Sequence, residues 1–195
     1  HGIVVDQLGN SYTIGTFYRY ANHGSQSDNK LIFGSHDIST SDAGTGHLYL
    51  SKISTNGEWL WAKQFGDSTG SGSQAVDLSQ GLHISIDSNK IYASAVFDGT
   101  LSFYDSNIQD LTSTISDNIM FASLDFQGNW ILATSFGGSS HGDSITSVSM
   151  LNEDLISILG WSTCYSSCTM QFGDLQISAT SPQSFLLVID KLDFQ

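Results

Sequence analysis

The stretch Asn56-Gly57-Glu58-Trp59-Leu60-Trp61-Ala62-Lys63-Gln64-Phe65-Gly66 has a second copy, Gln127-Gly128-Asn129-Trp130-Ile131-Leu132-Ala133-Thr134-Ser135-Phe136-Gly137. Gly, Trp, Ala, Phe and Gly recur at matched offsets, each pair 71 positions apart and without a gap. A Gly-Asp-Ser follows both copies, as Gly66-Asp67-Ser68 and, after a short insertion, Gly142-Asp143-Ser144. A fixed period of this length marks a chain made of repeated supersecondary units, and it takes precedence over any local reading.

Two more anchors keep the same phase. Leu31-Ile32-Phe33-Gly34, Leu101-Ser102-Phe103-Tyr104 and Met170-Gln171-Phe172-Gly173 recur at spacings of 70 and 69 residues. Each precedes a Ser/Thr-rich turn and an apolar strand: His47–Ile53, Asn118–Leu124 and Phe185–Leu192. Each unit opens alike, with Ile3-Val4-Val5-Asp6 before Tyr12-Thr13-Ile14, and Ile84-Ser85-Ile86-Asp87 before Ile91-Tyr92-Ala93. A more diverged third copy runs from Ser147 to Trp161. The units are placed at 1–73, 74–144 and 145–195, the third lacking its last strand.

Within a unit, runs of four to eight residues alternate with Gly, Asn, Asp and Ser turns, as strands and hairpins require. Tyr12/Ile14 and Ile84/Ile86 alternate with period two, which lays one face on a core. The longer apolar run Phe185–Ile189 predicts a strand covered on both faces. No segment carries a sustained helical period. The fold class expected is all-β: repeated four-stranded antiparallel sheet units of about 70 residues, with Phe33, Trp59, Phe65, Phe103, Trp130, Phe136 and Phe172 as the repeated core.

The order apolar-Asp-x-x-Gly-Asn-x-Tyr-x-x-Gly-x-Phe, then Phe-Gly, then Asn-Gly-x-Trp-x-Trp-Ala-x-x-Phe-Gly resembles the bacterial SBBP-type repeat, a seven-bladed β-propeller family. The resemblance covers nearly the whole chain and is strongest from Val5 to Gly66; Tyr104 stands where the Gly of Phe-Gly is expected. It implies propeller-like blades, a secreted or surface setting and no catalytic residues. Propellers use four to eight blades, so two units and most of a third predict an incomplete ring. A fragment of a longer array, or completion by neighbouring chains, resolves the count.

Composition narrows the function. Of 195 residues only 13% are charged, and 19 acids outweigh 6 Lys plus Arg for a net charge of −13. That balance excludes phosphate-backbone binding as a main activity and disfavours anionic membrane surfaces. No apolar run approaches bilayer length, so no membrane insertion is expected. No signal peptide is visible at His1, which reads as a mature or trimmed chain. Cys164 and Cys168 are the two cysteines. A disulfide across a hairpin end fits them better than free buried thiols or a zinc site, which would need further ligands; it implies an oxidising, extracellular or cell-surface location.

The catalytic signals are weak. Gly66-Asp67-Ser68-Thr69-Gly70 satisfies Gly-x-Ser-x-Gly, but a nucleophile elbow needs a helix after the Ser, and Ser71-Gly72-Ser73 follows. His1, His23, His36, His47, His83 and His141 form no metal-ligand pair and are expected as exposed turn residues. Asp28, Asp37, Asp42, Asp105, Asp110 and Asp117 line predicted loops without a calcium-loop pattern, so no cofactor is expected and Ca²⁺ is a weak candidate. Tyr18 and Tyr20 belong to a predicted unit-one loop ten residues longer than its unit-two counterpart; insertions on one face of a repeat protein often bind ligands. The expected function is an extracellular structural or adhesive protein that associates with copies of itself, as a filament or surface layer. A glycan- or ligand-binding module using Tyr18 and Tyr20, and a non-catalytic piece of a larger secreted protein, are the alternatives.

Overall fold

The computed structural model describes residues 1–18, 30–39, 46–66, 81–113, 117–138, 143–152, 154–163, 168–172 and 175–190. Among the described residues there are strands and no helix. In chain order, β1 (Gly2–Val5) and β2 (Ser11–Tyr18) are followed by a hairpin of β3 (Lys30–Phe33) and β4 (His36–Ser39). Then come β5 (Gly46–Ile53) and β6 (Trp59–Phe65). The series continues with β7 (His83–Ile86), β8 (Lys90–Phe97), a short hairpin of β9 (Thr100–Leu101) and β10 (Leu111–Thr112), β11 (Asn118–Asp125) and β12 (Trp130–Gly138). It ends with β13 (Asp143–Met150), β14 (Leu155–Ser162), a hairpin of β15 (Cys168–Phe172) and β16 (Leu175–Ala179), and β17 (Gln183–Asp190).

Three main antiparallel sheets result, none of them closed. The first has the order β1-β2-β5-β6, the second β16-β15-β12-β11-β8-β7, and the third β13-β14-β17. The register repeats between the first two. Trp59 lies opposite Ile53 across a bulge at Lys52/Ile53, and Trp130 lies opposite Leu124 across a bulge at Ser123/Leu124. A bulge bends and twists its strand, so both Trp side chains are aimed by the same local device.

The turns explain why the strands begin where they do. The Asp6 carboxylate accepts the Leu8 and Asn10 backbone N–H groups, the Asn10 side-chain amide and the Tyr12 hydroxyl, at 2.8–2.9 Å. Asp87 takes the Asn89 and Lys90 N–H groups and the Tyr92 hydroxyl, and Asp125 the Gln127 and Asn129 N–H groups. Short Asp side chains mimic a backbone turn in this way, and the hydroxyl bond ties the next strand to its own turn.

The sheets stack. One core cluster lies between the first and second sheets, with Tyr12, Ile14, Leu48, Leu50 and Phe65 against Ile91, Ala95, Phe97, Met120 and Trp130. A second lies between the second and third, with Tyr92, Val96, Phe121, Phe136 and Met170 against Ile156, Ile158 and Leu187. The middle sheet is thus buried on both faces, and β8 and β11 are buried along nearly their whole length. Small residues such as Ala93, Ala95 and Ala122 allow the close approach.

The run Phe185–Ile189 departs from the expectation of two covered faces. Leu187 is buried, but Leu186 and Val188 point outward and are exposed. Hydrophobic content alone cannot report whether a sheet has neighbours on one side or two, and β17 belongs to the end sheet of the stack.

Candidate functional site

The repeated aromatic residues form joints within and between sheets. Within the first unit the Phe33 ring meets Trp59 edge-on at 5.0 Å, and within the second Phe103 meets Trp130 at 4.8 Å. Between units, Phe65 stacks on Phe103 at 6.2 Å and Phe136 packs on Phe172 at 5.4 Å. Edge-to-face contacts of this kind add to simple area burial. All seven repeat-core residues therefore sit in packing roles, with Trp59 only half-buried.

The backbone repeats the inter-unit joint. The Gly66 N–H donates to the Ser102 carbonyl at 2.7 Å, and one repeat later Gly137 pairs with Gln171 as β12 joins β15. In both places the hairpin of one unit grips the end of the preceding unit's last strand. Gly66 has φ of +76°, a left-handed conformation that other residues enter at a cost. Gly34 does the same in the first hairpin with φ of +63°, and Tyr104, its counterpart, is forced to φ of +51°.

A polar clasp closes the first inter-sheet seam. Lys52 Nζ donates to the Phe126 carbonyl at 3.1 Å and lies 4.9 Å from the centre of the Tyr12 ring. Trp61 Nε1 donates to the same carbonyl at 3.2 Å. Burial, and then the bond to the Asp6 carboxylate, push the Tyr12 hydroxyl far above its ordinary range. Burial pushes Asp6 upward, but the hydrogen bonds from Asn10, Tyr12 and Leu8 outweigh it and hold the carboxyl below its ordinary value. Asp125 follows the same pattern with Asn129, Gln127 and Gly128. These shifts belong to turn formation.

The other sequence candidates disperse. Tyr18 is the last residue of β2, opposite Gly46, rather than a loop residue, and Tyr20 lies outside the described residues. Cys168 is disulfide-bonded, while Cys164, the chain's other cysteine, lies outside the described residues. Ser68, Asp28, Asp42, His23 and His141 also lie outside them. Asp37 forms an ion pair with Lys30, and Asp110 accepts the Ser102 hydroxyl and the Phe103 N–H. Asp105 accepts the Asn107 N–H. Among the described residues no group of three or more His, Cys, Asp or Glu side chains gathers.

Three histidines are strand residues and not exposed turn residues, and His36, the first residue of β4, is half-buried. His47 is fully buried in β5, stacked 5.2 Å from Phe17, with Gln64 Nε2 at 3.2 Å from Nδ1. His83 in β7 is half-buried with Nε2 3.4 Å from the Ile145 carbonyl, and burial holds its imidazole below the ordinary range while that carbonyl works against the shift.

One surface was missed in the sequence. Counting from the residue whose carbonyl closes the opening turn (Asn10, Lys90 and Leu155), the fourth residue on is Ile14, Ser94 and Leu159. Their cross-strand partners are Leu50, Phe121 and Leu186. The first two pairs are buried against the next sheet in the stack, at 1% exposure or less. Leu159 and Leu186 are 41% and 68% exposed, and Val188 beside them is 50% exposed. The signal lay in the run Phe185–Ile189, whose composition suits two covered faces.

Compared with protein-family models the chain matches none, and a comparison with curated proteins likewise yields no match.

Proposed function

We propose that this chain is an extracellular structural or adhesive β-repeat protein, built of propeller-like four-stranded units, that associates with copies of itself and carries out no reaction. The observation that carries the reading is the recurrence of one joint between units. Phe65 on Phe103 with Gly66 bonded to Ser102 is followed one repeat later by Phe136 on Phe172 with Gly137 paired to Gln171. Stacked repeats bury a continuous core only through their neighbours, and the largest fully buried side chains among the described residues serve that purpose.

Other features agree. The matched bulges at Lys52/Ile53 and Ser123/Leu124 favour one blade design used more than once. The resemblance to the SBBP-type repeat supplies the propeller reading. The disulfide at Cys168 fits an oxidising compartment, and the acidic surface fits a soluble extracellular protein without nucleic-acid partners. Sedimentation velocity across a concentration series, with negative-stain electron microscopy of the same samples, tests the proposal. Association that grows with concentration and gives discrete or extended assemblies is expected. A monomer at every concentration refutes self-association.

A further inference from the structure

The face of the second sheet that meets the third carries a polar pair among apolar neighbours. Ser94 on β8 lies directly opposite His83 on β7, with the buried Tyr92 and Val96 on either side of it on the same face. The same cross-strand position in the first sheet pairs Gly2 with Ile14. There the isoleucine lies over the glycine, with its Cγ2 3.4 Å from where a Cβ on Gly2 would stand. The third sheet has Leu159 at the position of Ser94. The second unit thus puts a hydroxyl where its two equivalents are aliphatic.

Ser94 is fully buried, and among the described residues its Oγ is the one buried side-chain polar atom with no hydrogen-bond partner in the protein. Native proteins rarely leave such a group unpaired. Across the strand, His83 holds its Nε2 3.4 Å from the Ile145 carbonyl of β13. A carbonyl only accepts, so Nε2 carries the proton and Nδ1 presents a lone pair. Burial favours the neutral ring that this requires. An unpaired donor and an unpaired acceptor therefore stand on directly opposed residues. Such residues hold their Cβ atoms about 4.5–5.5 Å apart, a separation that one small bridging molecule spans.

We propose that this seam is a binding site for a single buried water molecule, which accepts the Ser94 hydroxyl proton and donates to His83 Nδ1. Ser94, the water, His83 and the Ile145 carbonyl then form one hydrogen-bonded chain from the second sheet to the third. A serine is smaller than Ile14 or Leu159 by about the volume of one water, and two polar partners are the minimum that holds a buried water in place. The apolar pair of the first sheet offers neither partner.

Water–protein Overhauser spectroscopy of the wild type, with urea unfolding of Ser94→Ala, His83→Leu and the double variant, tests this. The wild type is expected to show a long-lived water contact at Ser94 and at the His83 ring, and Ser94→Ala to lose it. Ser94→Ala is also expected to raise the unfolding equilibrium constant roughly three- to tenfold, and to change it little when residue 83 is already Leu. An alanine variant as stable as the wild type, or more so, overturns the bridge: removing an unpaired buried hydroxyl relieves a cost, whereas removing a bridged one adds a cost. A loss that persists undiminished in His83→Leu overturns it as well. So does coupling of the two residues without a water contact, which marks a direct bond. If Ser94→Ala fails to fold, the wild-type spectrum decides: a long-lived water at both residues supports the bridge, and its absence refutes it.

Discussion

Tyr104 occupies the left-handed backbone position that Gly34 fills in the first hairpin. A side chain there costs on the order of 1–2 kcal/mol, partly offset by the greater freedom Gly gains on unfolding. Tyr104→Gly is therefore expected to raise stability, by at most about 1 kcal/mol, as measured by urea unfolding. The neighbouring Trp130, buried between Phe65 and Phe103, gives the opposite result: Trp130→Ala is expected to cost about 3–5 kcal/mol. The same substitution at exposed Ile131 should be nearly neutral. The turn carboxylates make a pH prediction. Asp6 and Asp125 are held below the ordinary value of 3.8 in the folded chain, so the unfolded chain takes up protons first as pH falls. Their stabilisation is present above that value and is lost below it; Asp6→Asn should flatten the acid limb of a stability–pH curve. A curve for Asp6→Asn that keeps the wild-type slope would remove the turn bonds from the account.

At the scale of elements, Gly66 and Gly137 end their units' last strands and are held by the next unit's hairpin. Gly66→Ala is expected to lose about 1–2 kcal/mol from its positive φ. Amide exchange should quicken at residue 66 itself, whose N–H donates to the Ser102 carbonyl, more than in β11. The existence and spacing of these strands were legible in the sequence because Gly, Trp, Ala, Phe and Gly recur at one interval. The pairing of β15 with β12 was not, because hydrophobic pattern specifies a face and says nothing of which edge a hairpin joins. Tyr18 reads as a loop residue because it begins a polar insertion, yet its backbone still pairs with Gly46 at the end of β5. His47 was misread because an isolated histidine carries no periodicity of its own; its burial follows from β5 being covered on both faces, with Leu48 and Leu50 on one and Tyr49 beside His47 on the other.

For the whole molecule, the seven repeat-core aromatics were legible as packing residues, since equivalent positions in repeated units rarely serve a unique site. The candidate surface was not. Leu159 and Leu186 occupy positions that are buried in the other two units, and only the stacking order leaves them uncovered. Sequence distance hides that order, since Leu159 and Leu186 become neighbours only when β14 pairs with β17. The measurement that tests the central claim most directly is sedimentation equilibrium of the wild-type chain from low micromolar to near-millimolar concentration. Reversible association that grows with concentration is predicted, while a single monomeric species across the whole range would contradict it.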